Sequence, residues 1–67
     1  MLYTEALKSA RLKANMTQEE VAEALRVSKG VISHWELGRG SEPSIGRLIQ
    51  LADIYKVSVD ELIGHKQ

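Results

Sequence analysis

TQEEVAEALRVSKGVISHWE, residues 17–36, is the stretch that decides the fold. Thr17-Gln18-Glu19-Glu20 has the form of a capping box, in which a Thr17 hydroxyl meets the Glu20 amide while the Glu20 side chain reaches back. Met16 and Val21 stand at the positions of the accompanying hydrophobic staple. Val21, Ala22 and Leu25 supply an inward stripe, and Ala22 is small enough for another helix to approach closely. Arg26 and Val27 make a tight turn. Ser28 then opens a second helix as its cap, with Val27 and Ile32 as a further staple. Ile32, Trp35 and Glu36 fall on neighbouring positions of one side of that helix. Lys29, Ser33 and His34 lie on another, and Gly38 suits the left-handed position that ends a helix. Two capped helices joined by so short a turn are what is needed to present one of them to the DNA major groove.

Outward from this unit the helical period continues. Leu7, Ala10 and Ala14, with Tyr3 and Ala6, predict a first helix from about Leu2 or Thr4 to Ala14, ended at Asn15. Arg11 falls on the same stripe, where an arginine either snorkels at the edge or pairs with a buried acid. Gly40 and Pro43 keep the stretch after the second capped helix irregular. Ser44 caps a further helix whose apolar stripe is Ile45, Leu48, Leu51, Ala52 and Tyr55, widened by Ile49. Ser58-Val59-Asp60-Glu61 reads as a second capping box, with Val57 and Leu62 as its staple, opening a brief last helix that stops at Gly64; His65 to Gln67 are expected to fray. Nothing alternates with period two for long, so the expected fold class is all-α, five helices. No repeat, linker or low-complexity segment divides the chain, and one helix-turn-helix domain over residues 1–67, with its unit at about 17–37, is the expected organisation.

Composition bounds the function. With 67 residues and no cysteine, neither disulfides nor thiolate zinc can support a domain that buries only about 60% of its unfolded surface. No apolar run approaches the ~18 residues of a membrane span. The first residues lack the basic and apolar regions of a signal peptide, so a soluble cytoplasmic protein is expected. An enzyme is not expected. Ser33 and His34 are adjacent in sequence, which does not put a base on a nucleophile in a helix. His34 and His65 lie in different elements without metal-ligand spacing, so no metal or cofactor is anticipated. The formal net charge is +0, from nine basic and nine acidic residues, an awkward balance for binding phosphates. Its distribution is uneven: Glu19, Glu20 and Glu23 crowd one segment, while Arg26, Lys29 and Arg39 face only Glu36 in the next.

The stretches MTQEEVAEAL (16–25), VSKGVISHWELGRG (27–40) and PSIGRLIQLADIYKVSVDELI (43–63), with Leu7 and Arg11, resemble the helix-turn-helix family of phage Cro/C1 repressors and xenobiotic-response-element-type regulators. The resemblance covers about residues 4–63 and implies a compact, lambda-repressor-like five-helix domain. The family usually has glycine where this chain has Arg26 and Lys56, and a left-handed residue other than glycine costs about 1–2 kcal/mol. A glycine inside the presumed reading helix, Gly30, costs roughly 1 kcal/mol and brings no side chain to a base.

The resemblance places Lys29, Gly30, Ser33 and His34 on the groove-facing side. Lys29 suits guanine O6 and N7; Ser33 donates or accepts and so discriminates poorly; His34 suits a base edge or a phosphate. The candidate phosphate contacts are Thr17, Gln18, Ser28, Arg39 and Ser41: the first three stand at helix starts, whose amides attract anions, and the last two in the loop that follows the backbone in the family. Arg47 is a weaker candidate. The resemblance also implies a structural pair between Arg11 and Glu36, with Trp35 as packing beside it. The expected function is sequence-specific double-stranded DNA binding by a transcriptional regulator, a repressor by default, acting as a homodimer on a palindromic operator. No sensor segment is expected, and the dimer surface is sought among Val57, Val59, Leu62, Ile63 and the Arg39–Pro43 loop. The competing expectation is a protein-binding modulator or antirepressor that pairs with another regulator, favoured by the neutral charge, Gly30 and the acidic second helix.

Overall fold

The computed structural model describes residues 4–40 and 42–63, which form five helices in the order α1 (Thr4–Lys13), α2 (Gln18–Leu25), α3 (Lys29–Leu37), α4 (Ile45–Tyr55) and α5 (Val59–Leu62). Among the described residues there is no strand. Leu2, Tyr3, Ser41, Gly64 and His65 to Gln67, to which the sequence assigned helix ends, a phosphate contact and fraying, lie outside the described residues.

Local chemistry sets each boundary. Thr17 Oγ1 accepts from the Glu20 amide at 3.1 Å, and Glu20 Oε1 accepts from the Thr17 amide at 2.8 Å, closing both halves of the capping box. Ser44 Oγ likewise accepts from the Arg47 amide at 3.2 Å and Ser58 Oγ from the Glu61 amide at 3.1 Å. At Ser58 only that half of the expected box forms. Ser28 corrects the sequence expectation further: it has the extended N-cap conformation but makes no side-chain capping bond.

Three helices end on non-glycine residues in the left-handed region: Asn15 (φ 58°), Arg26 (φ 60°) and Lys56 (φ 57°). Each brings its own amide back onto the preceding turn, and the next residue closes the motif. Val27 donates to Ala22 O at 2.9 Å and Val57 to Ala52 O at 3.0 Å. These amides satisfy carbonyls that a helix end leaves without partners. Arg47 contributes from a distance, since its Nη1 donates to Leu25 O, the last residue of α2, at 3.2 Å, and to Gln50 Oε1 at 3.0 Å.

The core is the convergence of the inward stripes. Leu7 and Ala10 of α1, Val21, Ala22 and Leu25 of α2, Ile32 and Trp35 of α3, four α4 residues and Leu62 of α5 are all buried. α2 packs on α3, α1 packs across α3, α4 and α5, and α4 supports α2 and α5. The two capped helices are thus held as a unit by α1 on one side and α4 on another. Two expectations about apolar residues are overturned. Ile45 and Ile49, assigned to the inward stripe of α4, are 72% and 51% exposed. Their spacing places them at the edge of the stripe formed by Leu48, Leu51, Ala52 and Tyr55, on its solvent side. Leu62, sought on a dimer surface, is 0% exposed. It is instead the residue that seals α5 to the core, while Val57, Val59 and Ile63 are half-buried against it.

Candidate nucleic-acid interface

Glu36 explains how α3 is held. It is 9% exposed and Arg11 8%, and the two meet across α1 and α3. Arg11 Nε lies 2.7 Å from Glu36 Oε2 and Nη2 3.0 Å from Oε1, a bidentate fork. Arg11 Nη1 also donates to Met16 O at 3.0 Å, which fixes the connection into α2. Hydrogen bonding to Glu36 pushes the Arg11 guanidinium pKa up, against the opposing effect of burial. Bidentate charge-assisted bonds of this kind give geometric specificity as well as energy. Trp35, beside the pair, is buried as packing.

Glu36 therefore does not face solvent. The acid that offset Arg26, Lys29 and Arg39 in the sequence count is spent inside the domain, while all three cations are exposed. The exposed charge of residues 26–39 is therefore more positive than their composition.

An open groove between α1 and the helix-turn-helix unit brings together Thr17, Gln18, Lys29 and Ser33, together with Glu19 and Leu37. Lys29, Ser33 and Leu37 recur every four residues and form one stripe of α3. The start of α2 thus lies on the same concave surface as the N-terminal half of α3. Gln18 is half-buried there, and its Nε2 donates to Glu36 Oε1 at 3.1 Å, so one amide hydrogen is already engaged inward. Thr17 is exposed, with its hydroxyl occupied as the cap.

The other expected contacts lie off this groove. Gly30 and His34 are exposed on the adjacent stripe of α3, and His34 lies beside the following loop, with its Nδ1 3.9 Å from where a Gly40 Cβ would be. A Cβ at Gly30 would meet only Ser28 Oγ, at 3.8 Å, so packing does not require glycine there. Ser28 and Arg39 are exposed. The Arg39 amide donates to His34 O at 3.0 Å, which anchors the loop to the end of α3. One partnership escaped the sequence reading, and Arg47, there a weaker phosphate candidate, has an inward partner. Glu19 Oε1 lies 3.7 Å from Lys29 Nζ, and Arg47 caps α2 rather than reaching outward. The Glu19 approach depends on how two helices meet, and no local spacing signals it.

The helix-turn-helix family matches residues 7–62, from within α1 to the end of α5. This chain belongs to the Cro/C1-type helix-turn-helix family. It is similar to the HTH-type transcriptional activator BcrR of Enterococcus faecalis, with 37% identity over 67 residues, covering 100% of this chain and 32% of that protein. It is similar also to the HTH-type transcriptional regulator ImmR of Bacillus subtilis (strain 168), with 40% identity over 58 residues, 87% of this chain and 45% of that protein. The cryptic phage CTXphi transcriptional repressor RstR of Vibrio cholerae is 33% identical over 64 residues, 96% of this chain and 56% of that protein. The chain thus spans a third to just over half the length of these curated relatives. Family membership carries the fold and the helix-turn-helix unit; among the relatives, the names include both an activator and a repressor.

Proposed function

We propose that this chain binds double-stranded DNA sequence-specifically, as the DNA-binding part of a transcriptional regulator. One observation carries the reading: the stripe of α3 containing Lys29 and Ser33 and the capped start of α2 share a single open groove. With α3 in the major groove, Lys29, Gly30, Ser33 and His34 face base edges. The α2 start then meets the adjoining phosphates through its free amides, helped by Thr17 and Gln18. Ser28, Arg39 and Ser41 extend the backbone contact, and Arg39 is the strongest cation for it. The names of the relatives support transcriptional control, and repression is the simpler outcome for a protein seated across a promoter. The same reading has the protein act in the cytoplasm, without a cofactor, as a homodimer on a palindrome whose half-sites lie about 34–36 Å apart. Val57, Val59 and Ile63, half-buried, and the exposed Ile45 and Ile49 are apolar side chains available to such a contact.

Selection from random duplexes with purified protein at low salt tests this. Enrichment of a palindrome is expected. Absence of any enriched sequence, with binding to another regulator instead, would establish the modulator reading. Lys29→Ala is expected to relax preference at one base pair at a cost of about 1–3 kcal/mol. Arg39→Ala should weaken all duplexes alike and reduce the salt slope by about one. Anisotropy titrations across salt concentrations measure both.

A further inference from the structure

Glu19 sits where a DNA-binding surface would gain nothing from an acid. Its carboxylate lies in the groove, 3.7 Å from Lys29 Nζ, and the two side chains keep 75% and 59% of their exposure. The fold has little use for this pair. Exposed ion pairs contribute about 0–1 kcal/mol to stability. The reciprocal cap of α2 is made by Glu20, not Glu19. Lys29 is the one cation on the groove stripe of α3, and its neighbour Gly30 adds no side chain. The carboxylate therefore bears directly on the group best placed to meet guanine.

Building on the DNA-binding reading, we propose that Glu19 is a specificity-determining residue that acts through Lys29. An ammonium is a compact point charge that takes any phosphate oxygen. Held by Glu19, it is partly neutralised and less available to phosphates entering the groove. On an arbitrary duplex Lys29 stays with Glu19, and the contact adds little. On the operator, guanine O6 and N7 offer two acceptors in one place and draw the ammonium away. Glu19 thereby lowers affinity for all DNA but lowers it most where no guanine waits. A chain with +0 net charge and a sparse reading face gains selectivity from suppressing non-specific binding.

The test compares wild type with Glu19→Gln, Glu19→Asp and Glu23→Gln on the selected operator and on a random duplex, at about 50 and 200 mM salt. Glu19→Gln is expected to tighten random-duplex binding by about 3–10-fold. The random-duplex salt slope should steepen by about 0.9, as one more phosphate is neutralised. Operator affinity should rise less, so the operator-to-random ratio falls. Glu19→Asp keeps the charge and should restore the ratio. Glu23 is exposed and outside the groove, and Glu23→Gln should leave the ratio at the wild-type value. In a Lys29→Met background the Glu19→Gln effect on the slope should disappear. Equal effects of Glu19→Gln and Glu23→Gln would reduce Glu19 to bulk charge and overturn the proposal. Weaker operator binding by Glu19→Gln would make it a direct base contact and overturn it too. In either case wild type still binds its operator, so the DNA reading survives; wild type binding no duplex would end both.

Discussion

Arg26 and Lys56 hold backbone geometry that their side chains resist. Both sit at φ near 60°, where a Cβ approaches the following carbonyl oxygen at a cost of about 1–2 kcal/mol. Neither is there for want of an alternative; the carbonyls of α2 and α4 require a left-handed residue to fold back on, and the amides of Arg26 and Lys56 deliver it. Replacement by glycine removes the clash but loosens the unfolded chain by about 0.5–1 kcal/mol. Arg26→Gly and Lys56→Gly are each expected to stabilise the domain by about 0.5–1 kcal/mol. In a domain of this size that is a rise of several degrees in Tm, about 4–8 °C per kcal/mol. Thermal unfolding followed by circular dichroism reads it, and a fall in Tm would show that the side chains contribute more than the strain costs. Gly38, at φ 73° in the corresponding place after α3, behaves oppositely, and a side chain there would be strained.

Among the elements, α2 and α3 open with residues of the same chemical type and end up differently made. The Thr17 hydroxyl closes a reciprocal box, whereas Ser28 caps α3 by backbone conformation alone. Thr17→Ala is expected to cost about 1 kcal/mol, the ordinary loss on removing a bonded cap. Ser28→Ala should stay within about 0.5 kcal/mol, as for a surface change that breaks nothing. Urea denaturation separates the two, and a Ser28→Ala loss as large as that of Thr17→Ala would mean its hydroxyl supports α3 after all. If Ser28→Ala weakens DNA binding while stability holds, the hydroxyl is serving a phosphate. The contrast marks how far sequence carries. Caps, staples and the 3.6-residue period are local, so the five helices and their turns could be read from Thr17, Ser44, Ser58 and the stripes between them. Whether a hydroxyl then finds its amide depends on side-chain rotation within an open turn, which residue types do not specify. The flank taken by Ile45 and Ile49, the partnership of Lys29 with Glu19 and the reach of Arg47 to α2 all depend on how finished helices meet. Arg11 and Glu36 are 25 residues apart in the chain, and only family resemblance, not spacing, pointed to them as a pair.

For the whole molecule, the junction of α1, α3 and α4 ties stability to pH through Tyr55. Its ring is buried, 6% exposed. Its pKa is raised from 10.0 to about 12, first by burial, which disfavours the phenolate, and then by the Glu36 carboxylate, with Arg11 opposing. The unfolded chain releases this proton near 10, and the folded one retains it to about 12. Below pH 10 the phenol is protonated in both states and its full contribution is present. As pH climbs from 10 to 12 the unfolded chain alone ionises, so stability is lost, on the order of 2–3 kcal/mol across the window. By pH about 11 the loss should be on the order of 1 kcal/mol. Lysines titrate over the same range, so the informative quantity is a difference. Urea denaturation of wild type and Tyr55→Phe, at pH 8 and at intervals to about pH 11, should give curves whose separation changes with pH. Wild type should weaken faster, because phenylalanine has no proton to release. A separation that stays constant from pH 8 upward would mean that the phenolate finds water in the folded state, and that the α4 contact with the Arg11–Glu36 pair opens more readily than a closed core allows.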